Sequence, residues 1–257
     1  MSALLKTVTV EGKLFLREPL SVIFGILFPT AILLGLGAIP ALREPSEDFD
    51  GARFVELWAP TALVIGLAIL GLQHIPGVVA TYRENGILRR MFTTPVHPGV
   101  MLTAQLVVVL AAAIVSAVLL VITARLVLDV PLPAHPVGFA AAFVFGFGAL
   151  LAIGLLIAAV APNARVANGL ALLTFMVVMF VGGVYLPRFL LPEFLVRLGD
   201  YTPPGVQALL DGWSGDDAVT AAVGVEAAGP PQLLQLGIMA LIAVSAGWTA
   251  TKLFRWE

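Results

Sequence analysis

The sequence predicts an all-α polytopic membrane protein, and three observations carry that prediction. Of its 257 residues 60% are apolar and only 12% are charged, and the mean hydropathy is +1.02. A soluble domain carries about twice that charged fraction, and a globule of this size could not hide so much apolar surface from water. Six charge-free apolar runs are each long enough to cross a bilayer core, which takes about 20 residues. Finally, the few charges fall between the runs, with basic residues concentrated in alternate connections. The net charge of −2 offers no overall attraction for nucleic acid, and no nucleic-acid partner is expected.

The elements follow in chain order within a single transmembrane domain, 1–257. Residues 3–17 read as an N-terminal interfacial helix. Leu5, Val8, Gly12, Phe15 and Leu16 form an apolar stripe and Lys6, Thr9, Lys13 and Arg17 a basic one, which suits acyl chains on one side and anionic headgroups on the other. A plain positive-inside anchor is the other reading of Lys6, Lys13 and Arg17. Pro19 fits the first position of the next helix. The six spans are placed at 20–42, 57–81, 100–124, 137–161, 166–186 and 231–251. The first run is too long for a signal-peptide core, so it is expected to be a retained span. Pro29, Pro40, Pro60 and Pro76 are expected to kink the first two spans. Gly148 with Ala152, and the run Ala111 to Ala113 with Ser116 and Ala117, offer small-residue packing surfaces.

Six spans put both termini on one side. That side holds nine Lys and Arg against five on the other, and the bias places the termini in the cytoplasm. Acidic residues sharpen the contrast: Glu11, Glu18, Glu84 and Glu257 lie inside and the other twelve outside. The near-zero total is thus a cancellation of +5 inside and −7 outside.

Between spans two and three, Tyr82-Arg83-Glu84-Asn85-Gly86-Ile87-Leu88-Arg89-Arg90-Met91 leads into Phe92, Thr93, Thr94 and Pro95. Ile87 with Met91, and Leu88 with Phe92, are i,i+4 pairs, so a short helix would carry an apolar face beside Arg83, Arg89 and Arg90; Pro95 and Pro98 would stop it. Two readings fit: a helix lying on lipid, or a lever contacting a cytoplasmic partner. The turn 161–165 is short, so spans four and five pack as an antiparallel hairpin. The outer segment 187–230 contains two short apolar pieces near 193–198 and 205–213, read as re-entrant or capping helices. Glu44 to Asp50 and Asp216 to Gly229 read as solvated loops.

Membrane-embedded catalysis would need polar groups gathered at one depth. The spans supply few, among them Gln73, His74, Gln105, Ser116, Thr174 and Ser245, which are expected to bond neighbouring helices. The chain has no cysteine, so disulfides, thiolate metal sites and a cysteine nucleophile are excluded. His74, His97 and His135 are too scattered to suggest zinc. The carboxylates expected of a proton- or sodium-coupled carrier are missing from the spans, and GxxxxGK[ST] occurs nowhere, so ATP hydrolysis is not expected of this chain. A transporter of this kind draws energy from another subunit.

Several segments together resemble a family. Phe15-Leu16-Arg17-Glu18-Pro19 followed by Phe28-Pro29 resembles the start of type-2 ABC exporter permeases, the membrane subunits of two-component drug and glycoconjugate exporters. Tyr82 to Arg90 followed by Thr94-Pro95-Val96 is similar to the coupling segment of that family. Phe180-Val181-Gly182-Gly183-Val184-Tyr185-Leu186-Pro187, Leu191-Pro192 and Thr202-Pro203-Pro204 are similar to its fifth span and external re-entrant pair. Gly182 departs from the serine that many members carry there.

The resemblance implies a permease that dimerises, with itself or a related permease, and sits on a separate ABC ATPase subunit. That subunit holds ATP and magnesium, and this chain binds no cofactor or metal. It implies coupling contacts through Tyr82, Arg83, Glu84, Gly86, Ile87, Leu88, Arg89, Arg90 and Met91, supported by the interfacial helix with Lys6, Lys13, Phe15 and Arg17. It also implies a pathway at the dimer interface lined by spans one, two and five, with no substrate-binding residue assigned. Export of a hydrophobic or amphipathic small molecule, a lipid or a glycoconjugate across a bacterial plasma membrane is the function implied; drug-exporter permeases are the nearest in general shape. The alternative is a membrane-anchored assembly or regulatory protein that recruits a cytoplasmic partner without transport.

Overall fold

A computed structural model describes residues 3–46, 51–91, 93, 99–185, 191–214 and 232–254. Among these residues the architecture is helical, with one isolated bridge between Pro45 and Arg53. Helix α1 is Ala3–Leu16. The spans are α2, Pro19–Gly37; α3, Phe54–Glu84; α5, Gly99–Leu128; α6, Pro136–Val160; α7, Ala164–Val181; and α10, Gln232–Leu253. All six are long and apolar enough to cross a membrane. Between them lie α4, Ile87–Met91, and the pair α8, Glu193–Asp200, and α9, Val206–Ser214. The expected Leu88–Phe92 pairing, the stop at Pro95 and Pro98, and the loops 47–50 and 216–229 lie outside the described residues.

Local chemistry sets the boundaries. Glu18 precedes proline and has non-helical dihedrals (φ −96°, ψ 88°), and Pro19 opens α2, as the steric rule for a pre-proline residue requires. The first span ends at Gly37 rather than 42, because the chain leaves the helix at Ile39 (φ −89°, ψ 112°) ahead of Pro40. The second span runs on to Glu84, so Tyr82, Arg83 and Glu84 form the last turn of a membrane helix rather than part of a loop. Gly86, at φ +65°, takes the left-handed conformation that turns the chain from α3 into α4.

The prolines inside spans act through π-turns. Segments Ile23–Leu27 and Ile69–His74 each end two residues before a proline, Pro29 and Pro76, whose missing N–H cannot close the regular ladder. A neighbouring helix serves one of the irregular turns: Ser116 of α5, fully buried, donates to the Ile26 carbonyl at 3.2 Å.

Helix α3 is the most buried span and α10 the least. α3 lies against α2 and α5 in its first half and against α6 and α7 in its second, while α10 packs on α6 and α9 on both α6 and α3. The shared core includes Leu33, Leu67, Leu70, Ile75, Leu120, Phe147, Leu150 and Met179, all fully buried. Where α3 crosses α6, a Cβ on Gly154 would run into the Gly71 carbonyl oxygen, so both backbones come within contact of each other. Gly148, read from sequence as part of the packing pair with Ala152, meets nothing within 4 Å.

Helix α1 packs along α5, but not on the expected stripe. It buries Glu11 and Phe15, half-buries Val8 and Gly12, and leaves Leu5 and Leu16 exposed. Lys6, Lys13 and Arg17 are exposed. The stripe is rotated toward Glu11 because that carboxylate has buried partners.

Candidate functional site

Polar side chains gather where α1, α2, α3 and α5 meet. The Tyr82 hydroxyl donates to Glu11 Oε2 at 2.9 Å, Gln105 Nε2 donates to the same oxygen at 2.6 Å, and Gln105 Nε2 lies 3.4 Å from the Tyr82 hydroxyl. Burial pushes the Glu11 carboxyl above its ordinary value, against the opposing pull of the Tyr82 and Gln105 hydrogen bonds and the charge of nearby His74. A second cluster is continuous with the first. His74 Nδ1 lies 2.8 Å from Ser21 Oγ and 3.3 Å from Glu18 Oε2, and its ring meets Phe15 edge-on with centroids 5.2 Å apart. The hydrogen bond from His74 is the largest influence holding Glu18 below the ordinary carboxylate range. Among the described residues, buried His74 Nε2 and Gln105 Oε1 meet no hydrogen-bond partner.

The last turn of α3 also closes the α6–α7 hairpin. Arg83 donates to the Ala158 carbonyl at 3.2 Å and to the Ala161 carbonyl, at the C-terminal end of α6. Glu84 Oε1 accepts the Ala164 N–H at 2.8 Å, at the first residue of α7. Asn163 completes that cap by accepting from Val166 N–H at 2.9 Å. Adjacent residues of α3 thus place a cation at one helix C-terminus and an anion at the next N-terminus, each favoured by the helix dipole.

The remaining residues of the expected coupling segment lie beside this turn. Leu88 is buried and Ile87 and Met91 half-buried, while Arg89 and Arg90 are exposed, with Arg90 donating to the Asn85 carbonyl at 3.1 Å. Tyr82, Arg83 and Glu84 therefore belong to one polar assembly that joins α1, α3, α5, α6 and α7. Lys6, Lys13 and Arg17 take no part in its hydrogen bonds, and Phe15 enters through its ring.

Sequence reading expected His74 and Gln105 to bond neighbouring helices, as they do, but assigned no role to Glu11, Glu18 or Ser21. One signal was available: Glu11 sits between Val8 and Phe15 at the 3–4 spacing of an inward face, where a lone carboxylate requires partners.

Beside this assembly opens a cavity of about 1070 Å³. Its lining comes from α2, α3 and α7 together with Glu18 and the segment after α7. Polar groups, Glu18, Ser21, Gln73, His74, Tyr82 and Asn168, share the lining with aromatic ones, Phe24, Phe28, Trp58, Phe175 and Tyr185. The resemblance implies a pathway along spans one, two and five, and these three spans line this cavity. Gly183, at φ +74°, ends α7 beside it in a conformation that favours glycine.

Six helices long and apolar enough to cross a membrane, three of them lining a mixed polar and aromatic cavity, define a multi-pass membrane protein. The family described as ABC-2 type transporter matches residues 5–204. The chain belongs to that family and is its membrane-embedded permease component, which pairs with an ABC ATPase subunit. No individual curated protein matches it.

Proposed function

We propose that the chain is the permease of a two-component exporter in a bacterial plasma membrane, moving a hydrophobic or amphipathic molecule outward through a path completed by a second copy or a related permease. Both termini and α4 face the cytoplasm in this reading, and ATP with magnesium sits on the separate ATPase. The observation that carries it is the last turn of α3, which faces the cavity through Tyr82 and holds the α6–α7 hairpin through Arg83 and Glu84. A push on α4 by a closing ATPase dimer is transmitted through that turn to the cavity walls. The ATPase acts by binding one conformation of the permease better than the other. A non-transporting anchor would have no use for a cavity of this size.

The test is Glu84→Arg in the complex. The substitution removes the Ala164 cap and sets a cation at the N-terminus of α7, a reversal that costs about 1 kcal/mol from the dipole alone. Membrane insertion is expected to persist while stimulation of the ATPase and export are both lost. Normal coupled export by this variant would overturn the proposal.

A further inference from the structure

The charge of the cavity narrows what it can hold. Among the described residues that line it, Glu18 is the one that carries a full charge by ordinary side-chain chemistry. Its side chain is 48% exposed, whereas that of His74 is 3% exposed. A carboxylate has no proton to give, so the 3.3 Å contact with Glu18 Oε2 requires the proton on His74 Nδ1. The hydrogen bond from His74 that depresses the Glu18 pKa keeps this carboxylate ionised near neutrality.

Facing it are the rings of Phe24 and Phe28, 5.6 Å apart and tilted, with Trp58, Phe175 and Tyr185 lining the same space. Ring faces attract cations and apolar bodies alike. Phosphate and carboxylate groups would meet a like charge at Glu18.

Resting on the permease reading above, we infer that the cavity selects amphiphilic organic cations, with the cationic centre at Glu18 and the apolar body against the aromatic wall. Anionic lipids and phosphate-linked glycoconjugates are excluded from it. The feature that selects is charge rather than shape, so two probes of the same shape and opposite charge discriminate.

Tetraphenylphosphonium and tetraphenylborate are such a pair. Binding of each to the full chain in nanodiscs of neutral lipid, with empty nanodiscs subtracted, is the measurement. Tetraphenylphosphonium is expected to bind saturably and at least tenfold more tightly than tetraphenylborate. Glu18→Gln is expected to weaken the cation about tenfold and Glu18→Asp to retain it. Should Glu18→Gln fail to fold, Thr81→Lys, at an exposed lining position, brings an ammonium to the rim and is expected to weaken the cation and strengthen the anion. Equal or tighter binding of the borate overturns the inference, as does an unchanged cation affinity in folded Glu18→Gln or Thr81→Lys. None of these readouts involves the ATPase, so their failure leaves the Glu84→Arg test of the permease reading untouched.

Discussion

Glu11 is the residue on which the packing of α1 depends. A buried carboxylate is costly unless every acceptor site that faces inward is served. Tyr82 and Gln105 serve it from two different spans. Truncation in Glu11→Ala would strand a tyrosine hydroxyl and a glutamine amide, each worth about 1–3 kcal/mol when left buried and unpaired. We expect α1 to detach from α5 at a cost of about 2 kcal/mol.

The pH dependence follows from the raised pKa of Glu11. The docked state holds the proton more tightly than the undocked state, so its stabilisation is complete below the ordinary value of 4.5 and is lost as pH rises through the raised value. Glu18 acts oppositely. Its lowered pKa gives stability that is present above the ordinary range and lost as pH falls through the depressed value, so the two windows lie on opposite sides of 4.5. The residues facing Glu11 are Tyr82, Gln105 and His74. The cysteine-free chain accepts labels cleanly: the distance between spin labels at Lys6→Cys and Thr103→Cys should lengthen or broaden as pH rises above 4.5, and Glu11→Gln should flatten that change.

At the scale of elements, the spans were legible because bilayer thickness and apolar run length are nearly the same statement. α3 and α5, with 31 and 30 residues, rise about 45 Å at 1.5 Å per residue, well beyond the hydrocarbon core. That surplus carries Tyr82, Arg83 and Glu84 past the apolar stretch on the same rigid helix. The extra turn was not legible, since polar residues after an apolar run read equally as loop.

Partners were less legible than lengths. Hydropathy showed that Gln105 and His74 needed hydrogen bonds but not that Glu11 and Glu18 would supply them. Small-residue spacing likewise drew attention to Gly148, whereas the close crossing is at Gly154. The spacing rule reads only one helix, and the crossing depends on two. Gly154→Ala should therefore push α6 off α3 and lower the thermal midpoint in detergent, at a cost of about 2 kcal/mol by analogy with overpacked cores. Gly148→Ala, open on its outer side, should stay within about 0.5 kcal/mol of the parent.

Across the whole molecule, burial differs from span to span. The cavity is lined by α2, α3 and α7, while α10 contributes nothing to its lining. On α7, Leu173 and Val177 are one turn apart and are 65% and 61% exposed, so they share one apolar face, on the side of the helix away from the cavity residues Phe175 and Met179. On α10, Leu241 and Val244 are as exposed, at 67% and 70%, yet their helix packs on α6 away from the lining. Hydropathy does not separate a lipid-facing surface from a protein-facing one in a bilayer, because acyl chains and leucines are equally apolar. Chemistry at single cysteines does separate them. If the path is completed by a second copy across α2, α3 and α7, oxidation should join Leu173→Cys or Val177→Cys into dimers in membranes, while Leu241→Cys stays monomeric. Dimers through α10 with none through α7 would move the interface to the opposite face and leave the cavity open to lipid.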